Sequence, residues 1–253
     1  MSDILEISRS GHVLQLRLNR PEKRNALNYE LCRQLVRAME DADADRSVGA
    51  ILITAAGPAF SAGMDLTEVR PDLTRDINLA HEQLFTIGAR LATPLVAAIG
   101  GAALAGGAGL VANCHVAVAS DQATFGLTEI RLGLWPFLVY RAVSAAIGER
   151  RALELSLTGR IFQAAEAREI GLVHEVTANF EERAREVAEG IAASSPTAIR
   201  AGMAYVHEVH GVSWRQAGEI AARVRNQVFE SADFREGIQA FREKRKPEWP
   251  SHK

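Results

Sequence analysis

Cysteine is scarce, with only Cys32 and Cys114 in 253 residues; the pair lacks metal-ligand spacing, and Cys114 lies inside an apolar run. A disulfide framework or cysteine-held metal is therefore excluded, and both residues read as reduced thiols packed as small hydrophobes, which fits an intracellular, reducing compartment. An excess of either charge is also missing, since 29 Lys and Arg stand against 31 Asp and Glu for a formal net charge of −2. The single basic cluster, residues 242–246, argues against general nucleic-acid binding. The opening Met-Ser-Asp-Ile-Leu-Glu carries acid early and has no apolar core segment, and no stretch has the continuous apolar length of a membrane span, so a cytoplasmic chain without membrane contact is expected. The seven histidines form no H-E-x-x-H pairing, so no metal site is expected, and no G-x-S-x-G offers a serine nucleophile its elbow.

What is present is 47% hydrophobic residues, enough for one substantial core with an appended subdomain. The chain is organised around residues 94–136, an almost unbroken apolar run in which Glu129 is the carboxylate expected to do chemistry. The run opens with a strand-like Leu95 to Ile99, then crowds glycine at 100, 101, 106, 107 and 109. Leu110 to Asn113 continues as a short buried helix and His115 to Ala119 as a buried strand. The glycines thus sit at a strand-to-helix turn, where backbone can approach a ligand and leave N–H groups pointing at it.

Before this run, residues 12–18 alternate apolar and polar like a half-buried strand. Residues 19–25 break it with Pro21 and the cations Arg20, Lys23 and Arg24, either a solvated charged turn or a ligand contact. Asn28 is a plausible N-cap for a helix burying Leu31, Leu35 and Met39, and a second strand spans Ala50 to Thr54. Residues 57–63 read as a loop delivering Phe60-Ser61-Ala62-Gly63-Met64-Asp65, and residues 66–75 as a mobile surface segment containing Pro71. A helix carrying Leu79, Leu84, Ile87 and Leu91 runs up to Thr93-Pro94.

After Pro136, helices are expected over residues 142–147, 151–157 and 164–170, then a strand over 172–176. From Glu181 the pattern is helical throughout. Pro196 can open one helix, Ser213 can cap the next, and Asp233 with Glu236 resembles a capping box for the last. The change of pattern divides the chain into residues 1–177 and a packed helical region over 178–253.

Gly107-Ala108-Gly109-Leu110-Val111-Ala112 fits a G-x-G-x-x-A dinucleotide fingerprint. Its context is wrong, because the strand signal ends near Ile99, several residues too early, and the segment lies far from the first strand. A nicotinamide- or flavin-dependent enzyme is the weaker alternative.

Taken together, residues 60–65, the Gly106 turn and Glu129 within Phe-Gly-Leu-Thr-Glu-Ile-Arg-Leu-Gly resemble the crotonase superfamily of enoyl-CoA hydratases and isomerases. The resemblance extends through Leu18-Asn19-Arg20-Pro21, Asn25-Ala26-Leu27, Leu157-Thr158-Gly159, residues 164–171 and the terminal 240–247, in order along nearly the whole chain. It implies an α/β fold, a spiral of strand-strand-helix units followed by a C-terminal helical subdomain that forms a homotrimer or a dimer of trimers. It implies an acyl-CoA thioester substrate, with no cofactor beyond the CoA it carries. The N–H groups of Met64 and Gly106 become an oxyanion hole for the thioester carbonyl, Arg24, Ala26, Ala62, Asp65 and Leu66 the contacts to CoA, and Phe241 and Lys244 the contacts to its nucleotide end.

The chain departs from the hydratase pattern in one place that matters. The resemblance puts the first of two hydratase glutamates at Gly109, so Glu129 stands alone. That favours double-bond isomerisation over hydration, and Gly109→Glu is expected to raise hydration if missing water activation is the limitation. The alternatives are hydration by Glu129 alone, in fatty-acid or branched-chain acid degradation, and a non-catalytic CoA-binding member. The family's aspartate is His115 here, expected to be structural, and its glycine-rich turn has become Phe137-Leu138-Val139-Tyr140.

Overall fold

The structure, a computed structural model, describes residues 3–69 and 74–252. The chain begins with the antiparallel hairpin β1 (Leu5–Ser10) and β2 (Val13–Leu18), followed by α1 (Tyr29–Ala44), β3 (Ala50–Ala55) and β4 (Ala59–Ser61). Next come α2 (Thr74–Thr86), β5 (Leu95–Ile99), β6 (Ala102–Leu104), α3 (Gly106–Ala112), β7 (Val116–Ala119) and β8 (Thr124–Gly126). Then follow α4 (Phe137–Ile147), α5 (Glu149–Thr158), β9 (Ile161–Gln163), α6 (Ala164–Glu169) and β10 (Glu175–Val176). Four helices finish the chain: α7 (Phe180–Ala192), α8 (Pro196–Glu208), α9 (Trp214–Phe229) and α10 (Ala232–Glu243).

The main sheet has the order β1-β2-β3-β5-β7-β10 and is parallel from β2 onward. Every residue of β5 is buried, as a parallel strand covered on both faces requires. One face packs Leu16, Ile51, Ile53 and Ile99 against Leu31, Leu35 and Met39 of α1, whose first turn is capped by the Asn28 side chain accepting from Leu31 N at 3.1 Å. The other face packs Leu52, Val96 and Val118 against Ala184, Ala188 and Ala192, small residues one turn apart on α7 that let the helix lie close. A second sheet, β4-β6-β8-β9, is parallel over its first three strands and antiparallel at the last.

Several expectations need correction. Residues 57–63 are not loop throughout, because residues 59–61 are strand β4; like β6, β8 and β9 it is three residues long, too short for alternation to register. Strand β1 likewise carries no alternating signal, since Leu5 is its one buried residue. The strand over 172–176 shrinks to β10, with Leu172 and Val173 buried in a turn. Phe137 to Tyr140 is no turn but the start of α4. Of the segment 66–75, residues 66–68 form a 3-10 turn anchored by Glu68, which accepts the Tyr29 N–H at 2.7 Å; Pro71 lies outside the described residues.

The last helix is capped by Ser231, accepting from Phe234 N at 3.1 Å, and not by Asp233. Asp233 is buried instead and accepts from the hydroxyls of Ser195 and Ser251, each at 2.6 Å, tying the start of α8 to the C-terminal turn. Pro196 does open α8, and Ser213 forms a full capping box with Gln216 on α9. Neither α8 nor α9 fully buries a side chain within this chain.

Candidate active site

Strands β4, β6 and β8 lie side by side and parallel, so their C-terminal ends fall on one edge of the small sheet. From that edge the chain passes to Met64 three residues after β4, to Gly106 two residues after β6, and to Glu129 three residues after β8. The three residues expected to carry chemistry are thus delivered by adjacent strands, at the carboxyl ends where open α/β sheets bind ligands.

Backbone geometry turns the first two segments toward each other. Gly63 has φ +91°, and a Cβ added there would sit 2.8 Å from Ala105 Cβ and 3.2 Å from Gly106 N, so only glycine allows this approach. Ala105 itself takes φ 50°, ψ −117°, a sparsely populated conformation that typically costs ~1–3 kcal/mol, and its N–H donates to Gly126 O at 2.8 Å. Leu27 N donates to Gly63 O at 2.7 Å and Leu27 O accepts from Asp65 N at 3.1 Å, which brackets Met64 and leaves its own N–H without an acceptor among the described residues. The Gly106 N–H opens α3 and has no acceptor there either.

Glu129 begins a one-turn 3-10 helix held by Arg131 N to Thr128 O, Gly133 N to Ile130 O and Leu134 N to Glu129 O, each 3.1 Å. Its side chain is buried and its Oε2 accepts no hydrogen bond. Burial, only partly offset by a hydrogen bond from its own backbone N–H, pushes the carboxyl pKa above its ordinary value. A buried carboxylate oxygen left without a donor is expensive, which makes Glu129 a candidate functional group.

Gly109 lies one turn after Gly106 on α3, and both face Phe85: a Cβ on Gly106 would meet Phe85 Cζ at 3.0 Å, and one on Gly109 would meet Phe85 Cδ1 at 3.4 Å. The space beyond Gly109 is already filled. A Cβ there would lie 2.3 Å from Cγ1 and 2.6 Å from Cβ of Val139 on α4. The expectation that Gly109→Glu alone restores a second carboxylate is therefore corrected, because Val139 occupies the room its side chain needs. Nothing in the sequence pairs these two positions; their meeting depends on how α4 crosses α3.

The residues expected at CoA divide into two groups. Arg24, at φ 50°, points an exposed side chain from the turn whose carbonyl accepts Ala62 N at 3.0 Å, and the Ala26 carbonyl accepts from Arg20 at 2.6 Å. Asp65 is buried and pairs with half-buried Arg20 at 3.0 Å while accepting from Thr67 N and Oγ1. Burial opposes its ionisation, but the Thr67 and Arg20 hydrogen bonds prevail and hold its pKa below the ordinary value. Its side chain is thus committed to the loop, whereas the Leu66 side chain is half exposed beside it. The structure gathers Arg24, Ala26, Ala62, Asp65 and Leu66 around Met64. Phe241 and Lys244 stand apart at the end of α10, Phe241 being 83% exposed, with no hydrogen bond joining them to that loop.

Asn25, named above only as part of a motif, is the knot of this loop: its buried amide donates to Ala56 O and Ala59 O, both at 2.8 Å, and accepts from Arg20 N at 2.8 Å. His115 is structural, with Nδ1 accepting from Leu95 N at 2.8 Å and Nε2 donating to Gly88 O at 3.1 Å, and burial holds it neutral. Both cysteines are buried and unpaired, and burial pushes the Cys114 thiol up to about 12. Among the described residues no group of three or more His, Cys, Asp or Glu could hold a metal ion, and no helix is long and apolar enough to cross a membrane.

The sequence model of the enoyl-CoA hydratase/isomerase family matches residues 8–252. The chain belongs to that family. It is 38% identical over 245 residues to a putative enoyl-CoA hydratase of Thermus thermophilus, covering 94% of this chain and 97% of the relative. It is 36% identical over 251 residues to the enoyl-CoA hydratase EchA19 of Mycobacterium tuberculosis, covering 95% and 94%. The crystal structure of an enoyl-CoA hydratase from Bacillus anthracis superposes with a TM-score of 0.93 at 31% identity, over 98% of this chain and all of that one. The α/β architecture with helices at its C-terminus is that of the crotonase fold, and the chain is a crotonase-family enzyme.

Proposed function

We propose that this family member moves a double bond along an acyl-CoA thioester, with Glu129 as its sole proton carrier. The N–H groups of Met64 and Gly106 hold the thioester oxygen. Glu129, as carboxylate, takes a proton from the alpha carbon of a beta,gamma-enoyl substrate; the electron pair spreads over the dienolate, whose oxyanion the two N–H groups stabilise. The same carboxyl returns the proton to the gamma carbon, leaving the alpha,beta double bond. The observation that carries this reading is the buried, unpartnered Oε2 of Glu129, delivered after β8 from the sheet edge where paired β6 leads into α3, on which Gly109 offers no second carboxylate.

CoA contacts fall to Arg24, Ala26, Ala62, Leu66 and the backbone at Asp65, all on the loop around Met64. Phe241 and Lys244 reach the nucleotide end from a second subunit of a homotrimer or dimer of trimers, with residues 178–253, apart from the α7 face that covers the main sheet, serving oligomerisation. The reaction needs no cofactor beyond the substrate's CoA, and the chain works in the cytoplasm. Hydration through Glu129 alone is the second reading, favoured by the relatives named hydratases.

Product analysis with saturated, alpha,beta-enoyl and beta,gamma-enoyl CoA thioesters separates the two. Isomerisation of the beta,gamma-enoyl substrate outpacing hydration of crotonyl-CoA is the expected result; fast hydration with no isomerisation reverses the order. Calorimetry should show binding of acetyl-CoA and not of NAD.

A further inference from the structure

Leu27 is the point at which the two free N–H groups are tied together. Its N–H and carbonyl bracket Met64 through Gly63 O and Asp65 N, and its Cδ1 lies 3.2 Å from the position a Cβ on Gly106 would take. Whatever fixes Leu27 therefore holds the segment that carries the Met64 N–H and the side chain packed against Gly106. Two side chains one turn apart on α2 do so. The buried His81 places Nε2 3.3 Å from Leu27 O, and since a carbonyl can only accept, that nitrogen carries the proton. Burial lowers the His81 pKa, which agrees with a neutral ring of fixed tautomer. Phe85, in ring contact with His81 at 5.7 Å between centroids, lies with Leu27 against Gly106, its Cζ 3.0 Å from the position a Cβ there would take.

We propose that His81 is a positioning residue of the oxyanion hole, holding the Leu27 carbonyl so that the Met64 N–H keeps its direction while Phe85 backs Gly106. This rests on the reading of Met64 and Gly106 as that hole. The hole acts only if its donors stand within about 3 Å of the oxyanion, so a strap that relaxes by a fraction of an ångström weakens the transition state more than the bound substrate. Leu27 O holds two donors, Asp65 N and His81 Nε2, and removing the second leaves the strap hung on backbone alone.

The test compares His81→Leu, which loses the donor, with His81→Gln, whose amide nitrogen can stand near Nε2. His81→Leu should lower kcat about tenfold with KM little changed, the equivalent of one hydrogen bond, and His81→Gln should recover most of it. The infrared band of a carbon-13-labelled butyryl-CoA carbonyl supplies a readout that a purely structural role would not move. Binding should shift it to lower wavenumber in the parent protein and in His81→Gln, and less in His81→Leu. Should His81→Leu not fold, His81→Asn, one methylene shorter than glutamine, carries the same expectation. A parent-like band shift and kcat in the donor-free variant overturn this proposal alone. No shift in the parent overturns the oxyanion-hole reading and this proposal with it.

Discussion

Gly109 and Val139 share one space: a Cβ on the first would lie 2.3 Å from Cγ1 of the second. A valine reaching across from α4 thus fills the space in front of a glycine on α3, with Phe85 beside it.

Gly109→Glu alone should destabilise the protein by about 1–3 kcal/mol, the usual cost of overpacking, without raising hydration. Val139→Gly is the matching change, because the valine Cβ is itself only 2.6 Å away and alanine would still clash. The double variant should be more stable than the sum of the single effects predicts, which a denaturant double-mutant cycle measures. If water activation limits hydration, crotonyl-CoA hydration should rise in the double variant only.

Glu129→Gln should lower turnover by about a hundred to ten thousand fold, the ordinary worth of general acid–base assistance. The carboxylate must be ionised to take a proton, so the acid limb of the rate profile should fall at a pH above that of an ordinary glutamate. The same raised pKa has a stability consequence. The folded state holds the Glu129 proton more tightly than the unfolded one, so its stabilising effect is full below the unfolded pKa and lost as pH rises through the folded value. Glu129→Gln should accordingly be more stable than the parent at neutral pH, a gain that vanishes in acid; equal melting temperatures at both pH values would count against it.

Gly63→Ala should lose most activity and cost about 2 kcal/mol, since alanine is strained at a positive φ. At φ +91° the new methyl would also meet Ala105 Cβ at 2.8 Å and displace the Gly106 N–H. Parent-like thioester turnover in this variant would be inconsistent with the close approach of the two loops.

Sedimentation should find an oligomer, because α8 and α9 fully bury no side chain in the isolated chain while α10 leaves Phe241 exposed. A stable monomer at micromolar concentration would remove the cross-subunit role proposed for Phe241 and Lys244.

The sequence by itself determined the longer parallel strands of the main sheet and the starts of several helices. Residues 95–99, wholly apolar between Pro94 and a pair of glycines, read as a buried strand, and Asn28, Pro196 and Ser213 mark helix starts through chemistry local to a few residues. It also determined the family, because Met64, Gly106 and Glu129 sit in motifs kept in order along the chain. Tertiary structure decided what depends on contacts remote in sequence. The three-residue strands β4, β6 and β8 carry no periodic signal, yet their parallel pairing aligns Met64, Gly106 and Glu129 on one edge. Asp233 has the composition of a cap but is drawn inward by Ser195 and Ser251, 38 and 18 residues away. Likewise Val139 is an ordinary helical valine until α4 sets it against Gly109, and His81 an ordinary polar residue until α2 lays it on Leu27. Side-chain chemistry is local, but which groups share a space is fixed only when the sheets and helices pack.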